Sequence, residues 1–538
     1  MFRLQIRHIG FLIFKCNRLT ELLTSRLNNN YLLSCKTYIL PVKYFLGYDL
    51  GSSSVKAALL EAVTGKPLAS AFSPVSEMKI HSPQPGFAEQ DPEQWWQELI
   101  KATHLLHQEF PFDKNEIGAI GISYQMHGLV CLDKNNQSLR PAIIWCDSRA
   151  VKYGADAFEH LGQAFCLEHF LNSPGNFTAS KLKWVKENEP SLYEKIVRVL
   201  LPGDFIALKM TGEAVTTVSG LSEGIFWDYR QNGIARSLLN YYGINPELLA
   251  PCVPVFGEQG KLQTTAAEEL GIRAGTPVCY RSGDQPNNAF SLQVLEPGEM
   301  AATAGTSGVL YGISSHAHFD PQSRVNPFIH VNYQKDNPRY GILMCLNGTG
   351  ILNSWLRREF FSGESYESMN AGAALTTRGA DGIRCYPFGN GAERILENKN
   401  PGGQIKGLDF NRHNKYHLAR AAQEGIVFSL MYGAEIMESM GLSLRNIRAG
   451  YANMFLSELF AQTFSDCSQC PVELYNTDGA LGAARGAGFG FKYFSSLKEC
   501  YRGMEVVRRL DPEKNNKSGI QEIYKDWKTG LEEILKKA

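Results

Sequence analysis

Two aspartates stand beside glycine turns: Asp49 heads Asp49-Leu-Gly-Ser-Ser-Ser-Val55, and Asp284 sits in Arg281-Ser-Gly-Asp-Gln285. The first turn has a second copy about half a chain later, Thr303-Ala-Gly-Thr-Ser-Gly-Val309. In it Gly305 matches Gly51, Ser307 matches Ser53 and Val309 matches Val55. Glycine lets successive backbone N–H groups face one anion, and the hydroxyls of Ser52, Ser53, Thr306 and Ser307 add donors, so each turn reads as a phosphate grip. Two such grips and two carboxylates are the parts phosphoryl transfer needs: neutralised phosphate oxygens, usually with Mg2+, and a base for the attacking hydroxyl. Asp49, at the end of the strand entering the first turn, suits the metal. Asp284, behind a Gly-Thr-Pro-Val strand, suits the base.

Other chemistries lack their signatures. There is no Gly-x-x-x-x-Gly-Lys-Ser/Thr loop and no His-Glu-x-x-His, and Gly486-Ala-Gly-Phe-Gly490 is too loose for a dinucleotide fingerprint. Nucleotide binding therefore falls to the paired turns. Cys467-Ser-Gln-Cys470 has no second pair to complete a zinc site and reads as a turn before the strand-like Pro471-Val-Glu-Leu-Tyr475.

The elements that must carry these residues follow from periodicity. From Tyr44 the pattern is strand, turn, strand, a second turn at Thr64-Gly-Lys66 and a third strand through Leu68 to Phe72, an antiparallel opening. A helix with a Trp95, Trp96 and Leu99 face runs from Pro92 to His107, before the buried-looking strand Ile117-Gly-Ala-Ile-Gly-Ile-Ser123. The order restarts near Gly298, with strands on either side of the second turn and a long helix from about Lys415 to Met440. Two similar α/β halves are expected, joined near residues 286–298.

With 538 residues there is length for two cores, and 54 Lys+Arg balance 54 Asp+Glu, so composition points to a small-molecule partner rather than nucleic acid or membrane. Twelve scattered cysteines read as reduced thiols in a cytoplasmic protein. Residues 1–43 differ, with seven Lys/Arg against the single acid Glu21, and are expected to lie outside the fold. They read as an organelle leader or as a start set upstream of a natural one at Val42. The apolar run at Ile9-Gly-Phe-Leu-Ile-Phe14 is too short to span a bilayer.

Taken in order, Tyr48-Asp-Leu-Gly-Ser52, Glu89-Gln-Asp-Pro-Glu-Gln-Trp-Trp96, Gln125-Met-His-Gly128, Ile144-Trp-Cys-Asp-Ser-Arg149, Leu200-Leu-Pro-Gly-Asp204, Ser282-Gly-Asp284 and Gly305-Thr-Ser-Gly308 resemble the FGGY carbohydrate kinases, most closely the xylulokinases. The resemblance runs from about Lys43 to residue 530. It implies two ribonuclease H-like domains of the actin and hexokinase type, over residues 44–290 and 291–538, with sugar and ATP meeting in a closing interdomain cleft.

The resemblance makes Asp284 the general base for the terminal hydroxyl of the sugar, with ATP and Mg2+ as co-reactants. It assigns Met126, His127, Trp145, Asp147 and Gln285 to the sugar, and Gly51, Ser52, Ser53, Gly305, Thr306, Ser307, Gly450 and Asn453 to the nucleotide. The reaction implied is phosphorylation of D-xylulose to D-xylulose 5-phosphate, and the resemblance suggests a homodimer. Two readings stay open beside it: the same chemistry on ribulose, fuculose or gluconate, and a non-catalytic nucleotide- or sugar-binding regulator. The chain departs from the family pattern at Ile447-Arg-Ala-Gly-Tyr-Ala-Asn453, where only Gly450 of a glycine run remains. It departs again at Gln285, where xylulokinases carry Asn, and at Tyr386-Pro-Phe-Gly-Asn-Gly391, a loose match followed by Glu393-Arg394.

Overall fold

In the computed structural model, which describes residues 42–513 and 517–538, two mixed sheets share one strand plan. The first is built from Tyr44–Leu50 (β1), Val55–Glu61 (β2), Pro67–Ser73 (β3), Ile117–Tyr124 (β4) and Val278–Gly283 (β5), in the order β5-β4-β1-β2-β3. β1, β2 and β3 are antiparallel neighbours, whereas β4 and β5 run parallel to β1.

The second sheet repeats that plan with Glu299–Ala304 (β6), Gly308–Ser314 (β7), Tyr340–Leu346 (β9), Asn446–Gly450 (β10) and Val472–Tyr475 (β11). Asn326–Ile329 (β8) and Val506–Leu510 (β12) extend its edges, giving β8-β9-β7-β6-β10-β11-β12. A three-strand meander followed by two parallel strands is the ribonuclease H-like plan, present twice.

The duplicated turns differ by one residue. In the first, Leu50 pairs with Val55 across residues 51–54; in the second, Ala304 pairs with Gly308 across residues 305–307. The second turn is therefore the tighter, although the sequences align without a gap.

The helices that position the site are Pro92–Glu109 (α1), Thr178–Asn188 (α2), Pro202–Thr211 (α3), Asp284–Ser291 (α4), Gly350–Phe360 (α5), Lys415–Ser439 (α6) and Gly479–Gly490 (α7). α1 is capped by Asp91 and buries Trp95, Trp96 and Leu99 against the first sheet, as their spacing predicts. α6 is buried along most of its length in the second core, among Leu310, Met344 and Phe388.

α7 crosses the expected division, because it lies on β1, β4 and β5 rather than on the second sheet. Its small residues allow backbone contact. A Cβ on Gly47 would lie 1.9 Å from the carbonyl oxygen of Ala480, and one on Gly121 would lie 2.0 Å from that of Ala483. The loose Gly486-Ala-Gly-Phe-Gly490 run belongs to this helix, with Gly486 against the ring of Tyr280. Gly121→Ala is expected to push α7 off the sheet and to destabilise the protein by about 1–3 kcal/mol, the usual range for overpacking. A urea midpoint equal to that of the wild type would contradict this close fit.

Cys467 lies in the last turn of the helix Glu458–Ser468 and Cys470 precedes β11, both buried and free, so the turn expected there is present. Of the leader expected over 1–43, residues 1–41 lie outside the described residues. Lys43 is tied into the fold: its N–H donates to the Glu116 carbonyl and its Nζ pairs with the Glu116 carboxylate at 2.6 Å. Among the described residues no helix is long and apolar enough to cross a membrane.

Candidate active site

β1 delivers Asp49 and β5 delivers Asp284 to one cleft of about 600 Å³. Ser123 on β4 donates to Asp49 Oδ1 at 2.7 Å. Burial pushes the Asp49 carboxyl above its ordinary range, opposed by that hydroxyl. Its second oxygen faces the start of α7, where a Cβ on Gly479 would come within 2.3 Å of Oδ2. Asp478 caps α7 by accepting from the Leu481 N–H and pairs with Lys56, the residue opposite Asp49 in the β1–β2 ladder.

Asp284 opens α4. Burial, and then the charge of Asp49, push its carboxyl up to about 7. α4 is bound to α7 by Asn287 Nδ2, which donates to the Gly479 carbonyl at 2.8 Å, and by Ser291 Oγ, which donates to that of Asp478 at 2.8 Å. The two carboxylates thus sit at two cross-linked helix starts. Gly283 is required before Asp284, because a Cβ there would lie 2.5 Å from Glu223 Oε2 and 2.6 Å from Met126 Cγ.

His127, in the left-handed region at φ 62°, donates from Nδ1 to the Glu223 carbonyl at 2.9 Å. The ring packs on Phe177 and Phe328. Burial and then the charge of Lys181 push it down to about 3, so it stays neutral with Nε2 available to accept from a hydroxyl. Lys181 on α2 is fully buried and donates to the carbonyls of His127 (2.8 Å) and Ile144 (3.0 Å), tying the two loops that flank the cleft. Met126 lines the cleft from beneath Gly283. Trp145 stands at the rim, 49% exposed, with its N–H 3.4 Å from Ser52 Oγ. Gln285 lines the cleft, its Oε1 buried without a partner.

Asp147 corrects the expectation that it meets the sugar. It is fully buried, its carboxylate accepts the Ala88 N–H at 2.6 Å and pairs with Arg149 at 2.7 Å, and it does not line the cleft. Its lone pairs are spent on holding the Trp145 loop to the scaffold.

The paired turns divide between two cavities. Gly51, Ser52 and Ser53 line the carboxylate cleft together with Ser307 from the opposite turn. Gly305 and Thr306 line a second cavity of about 870 Å³, with Gly350, Tyr366, Asn370, Tyr451 and Asn453. The β6–β7 turn is thus a partition with a cavity on each side, braced by the Gly350 N–H, which donates to the Gly305 carbonyl at 2.8 Å. Gly450 is the last residue of β10, paired with Tyr475, directly before the lining residue Tyr451. The wall falls to Tyr451 and to Asn453, which is itself in the left-handed region at φ 53°.

Lys56, Lys181, Glu223 and the Tyr366–Asn370 wall carry no local motif, and sequence reasoning passed over them. Asp478 was passed over as well, although the Asn476-Thr-Asp-Gly479 run is a turn signal ahead of α7.

Mg2+ takes hard oxygen donors, commonly one or two carboxylates completed by water and phosphate oxygens. Asp49 and Asp284 fit that donor set. Among the described residues no group of three or more His, Cys, Asp or Glu could hold a metal ion by itself.

Residues 44–291 match the N-terminal domain of the FGGY family of carbohydrate kinases, and residues 300–490 match its C-terminal domain. The xylulose kinase of Bacillus subtilis (strain 168) is 31% identical over 470 residues, 85% of this chain and 90% of that one. A xyloylose kinase from Brucella ovis superposes with a TM-score of 0.79 at 25% identity, covering 90% of this chain and 98% of that one. A gluconate kinase from Lactobacillus acidophilus superposes at 0.81 with 21% identity over 91% and 98%, a likeness of fold alone.

Proposed function

The chain belongs to the FGGY family of carbohydrate kinases, and from that premise we propose that it transfers the γ-phosphoryl group of ATP to the terminal hydroxyl of D-xylulose. The observation that carries the reading is the partition. One turn, β6–β7, borders a cavity large enough for a nucleotide on one face and the carboxylate cleft on the other. A nucleotide in the larger cavity would present its terminal phosphate at Gly305 and Thr306, beside the cleft that holds Asp284.

Asp284 takes the proton from the attacking hydroxyl, and a carboxyl near 7 is matched to that task at neutral pH. His127 and Gln285 orient the sugar, and Gly51, Ser52, Ser53 and Ser307 face the transferred phosphoryl group. Asp49 would hold Mg2+, which when bound neutralises phosphate charge. The free thiols of the described cysteines support a cytoplasmic setting.

A second reading, the same transfer to another open-chain sugar, draws support from Gln285, which is one methylene longer than the Asn it replaces. A coupled ADP-release assay with Mg-ATP separates the two, using D-xylulose, D-ribulose, L-fuculose, gluconate and glycerol. D-Xylulose is expected to give the highest kcat/KM. Preference for another acceptor would move the substrate and keep the chemistry, and no acceptor-dependent ADP would overturn the kinase reading.

A further inference from the structure

One stretch of the family pattern, Glu89-Gln-Asp-Pro-Glu-Gln-Trp-Trp96, lines no part of the carboxylate cleft. Its Gln90 nevertheless reaches the first turn. Gln90 is 2% exposed and ends the short strand Glu89–Gln90, which pairs with Ala142–Ile143 ahead of the Trp145 loop. Its Nε2 donates to the Ser52 carbonyl at 2.7 Å, and its Oε1 accepts the indole N–H of the fully buried Trp95 at 3.0 Å. Gln125, which lines the cleft, donates to the same oxygen at 3.4 Å. An indole N–H only donates and a peptide carbonyl only accepts, so both ends of the Gln90 amide are assigned by their partners and cannot be exchanged.

The turn is arranged around these bonds. The carbonyls of Ser52, Ser53 and Ser54 are all taken, by Gln90, by the Met78 N–H at 2.7 Å and by the Gly51 N–H at 3.0 Å. Among the described residues no acceptor meets the N–H of Ser52, Ser53 or Ser54. In a trans peptide unit the C=O and the N–H that follows it point in opposite directions. Tying the Ser52 carbonyl back to Gln90, outside the cleft, therefore turns the Ser53 N–H toward the cleft that Ser53 lines. Successive N–H groups left free in a turn are the material of an anion-binding concavity.

We propose that Gln90 is a positioning residue for phosphoryl transfer: it fixes the Ser52–Ser53 peptide so that the Ser53 N–H donates to the transferred phosphoryl group. Trp95 in turn fixes the Gln90 amide. The assignment rests on the kinase reading above and names the side chain that orders the first of its two phosphate grips.

The test compares the affinities of D-xylulose and D-xylulose 5-phosphate, measured by calorimetry on the wild type, Gln90→Met and Gln90→Glu. Gln90→Met removes donor and acceptor at similar volume. Gln90→Glu keeps an oxygen for Trp95 and Gln125 but sets a second oxygen, instead of the amide nitrogen, against the Ser52 carbonyl. In both, Kd for the phosphorylated sugar is expected to rise on the order of 10- to 100-fold, the effect of losing one hydrogen bond to a charged group, while Kd for the free sugar stays within about threefold. The value of kcat should fall in parallel. Trp95→Phe, which leaves the amide in place but no longer fixed, should lie between the wild type and Gln90→Met. General loosening of the fold would weaken both ligands alike. Equal weakening, or wild-type affinity for the phosphorylated sugar in a folded Gln90 variant, therefore overturns the proposal. If neither Gln90 variant folds by thermal melting, Trp95→Phe carries the same comparison. A wild type that prefers another acceptor moves the substrate, and that sugar and its phosphate then replace the xylulose pair. A wild type that releases no acceptor-dependent ADP fails the kinase reading and the proposal together, whereas an unchanged ratio of affinities in the variants fails the proposal alone.

Discussion

Asp284→Ala is expected to lower kcat by about 10²- to 10⁴-fold, the usual cost of removing a general base, while leaving sugar and ATP binding measurable by calorimetry. Few other positions should combine so large a rate loss with retained binding. The residue opens α4, whose placement depends on Asn287 and Ser291 rather than on the carboxylate, so the substitution should leave the fold intact.

The pH dependence provides a second check. The carboxyl of Asp284 is raised to about 7 first by burial and then by Asp49, and a base acts only when deprotonated. In the wild type kcat/KM should therefore fall as pH drops through about 7, and the limb belongs to the Asp49–Asp284 pair. Removing the Asp49 charge would favour ionisation of Asp284, so the residual activity of Asp49→Asn should show its limb at lower pH. A near-normal rate in Asp284→Ala, or a profile flat to pH 5, would refute the assignment.

Arg281→Met should be the most damaging substitution away from the cleft, with an expected loss of about 3–5 kcal/mol for a buried ion pair broken on one side. Arg281 on β5 and Asp204 on α3 pair at 3.0 Å, with side chains 0% and 2% exposed, and Arg281 also donates to the Val215 carbonyl at 2.9 Å. Methionine fills much of the same volume and leaves the Asp204 carboxylate unpaired.

Burial already pushes Asp204 up against the opposing charge of Arg281, and losing that charge pushes it further. A carboxyl raised above its unfolded value binds its proton more tightly in the folded state. The stability of the variant should therefore be greatest at low pH and decline as pH rises through the folded value. Urea unfolding at two pH values reads this directly, and the double variant Arg281→Met/Asp204→Leu should recover most of the loss. A single variant with the wild-type midpoint at both pH values would show that the pair contributes nothing.

What was legible in the sequence was local. Gly51 to Ser53 and Gly305 to Ser307 declare their turns because glycine and hydroxyl residues act within a few positions of themselves, and α1 declares its buried face through Trp95, Trp96 and Leu99. Asp147 misled for the complementary reason. Its motif lies beside the cleft in sequence, yet the partners that take its lone pairs include Ala88, far away along the chain. That Gly450 closes β10 and pairs with Tyr475 is also hidden, because it needs the strand on its other side. Likewise the Asp204–Arg281 pair joins residues from distant elements, and no spacing rule announces it. Arg394 was visible only as a residue following a loosely matching loop; that it lines the carboxylate cleft is a fact about space.

The position of α7 bears on how the polypeptide comes into being on the ribosome. The face of the first sheet formed by Phe45, Ala58, Ala119 and Tyr280 is covered by a helix whose residues, 479–490, are translated long after that sheet is complete. At about 5–20 residues per second, some tens of seconds separate the emergence of β5 from that of α7. Throughout that interval the nascent first half must carry an uncovered apolar surface, so chaperone protection is a demand of its topology. For the same reason a fragment ending at α4 would be an aggregation-prone half rather than a free-standing domain, although the strand plan of each half is complete in itself.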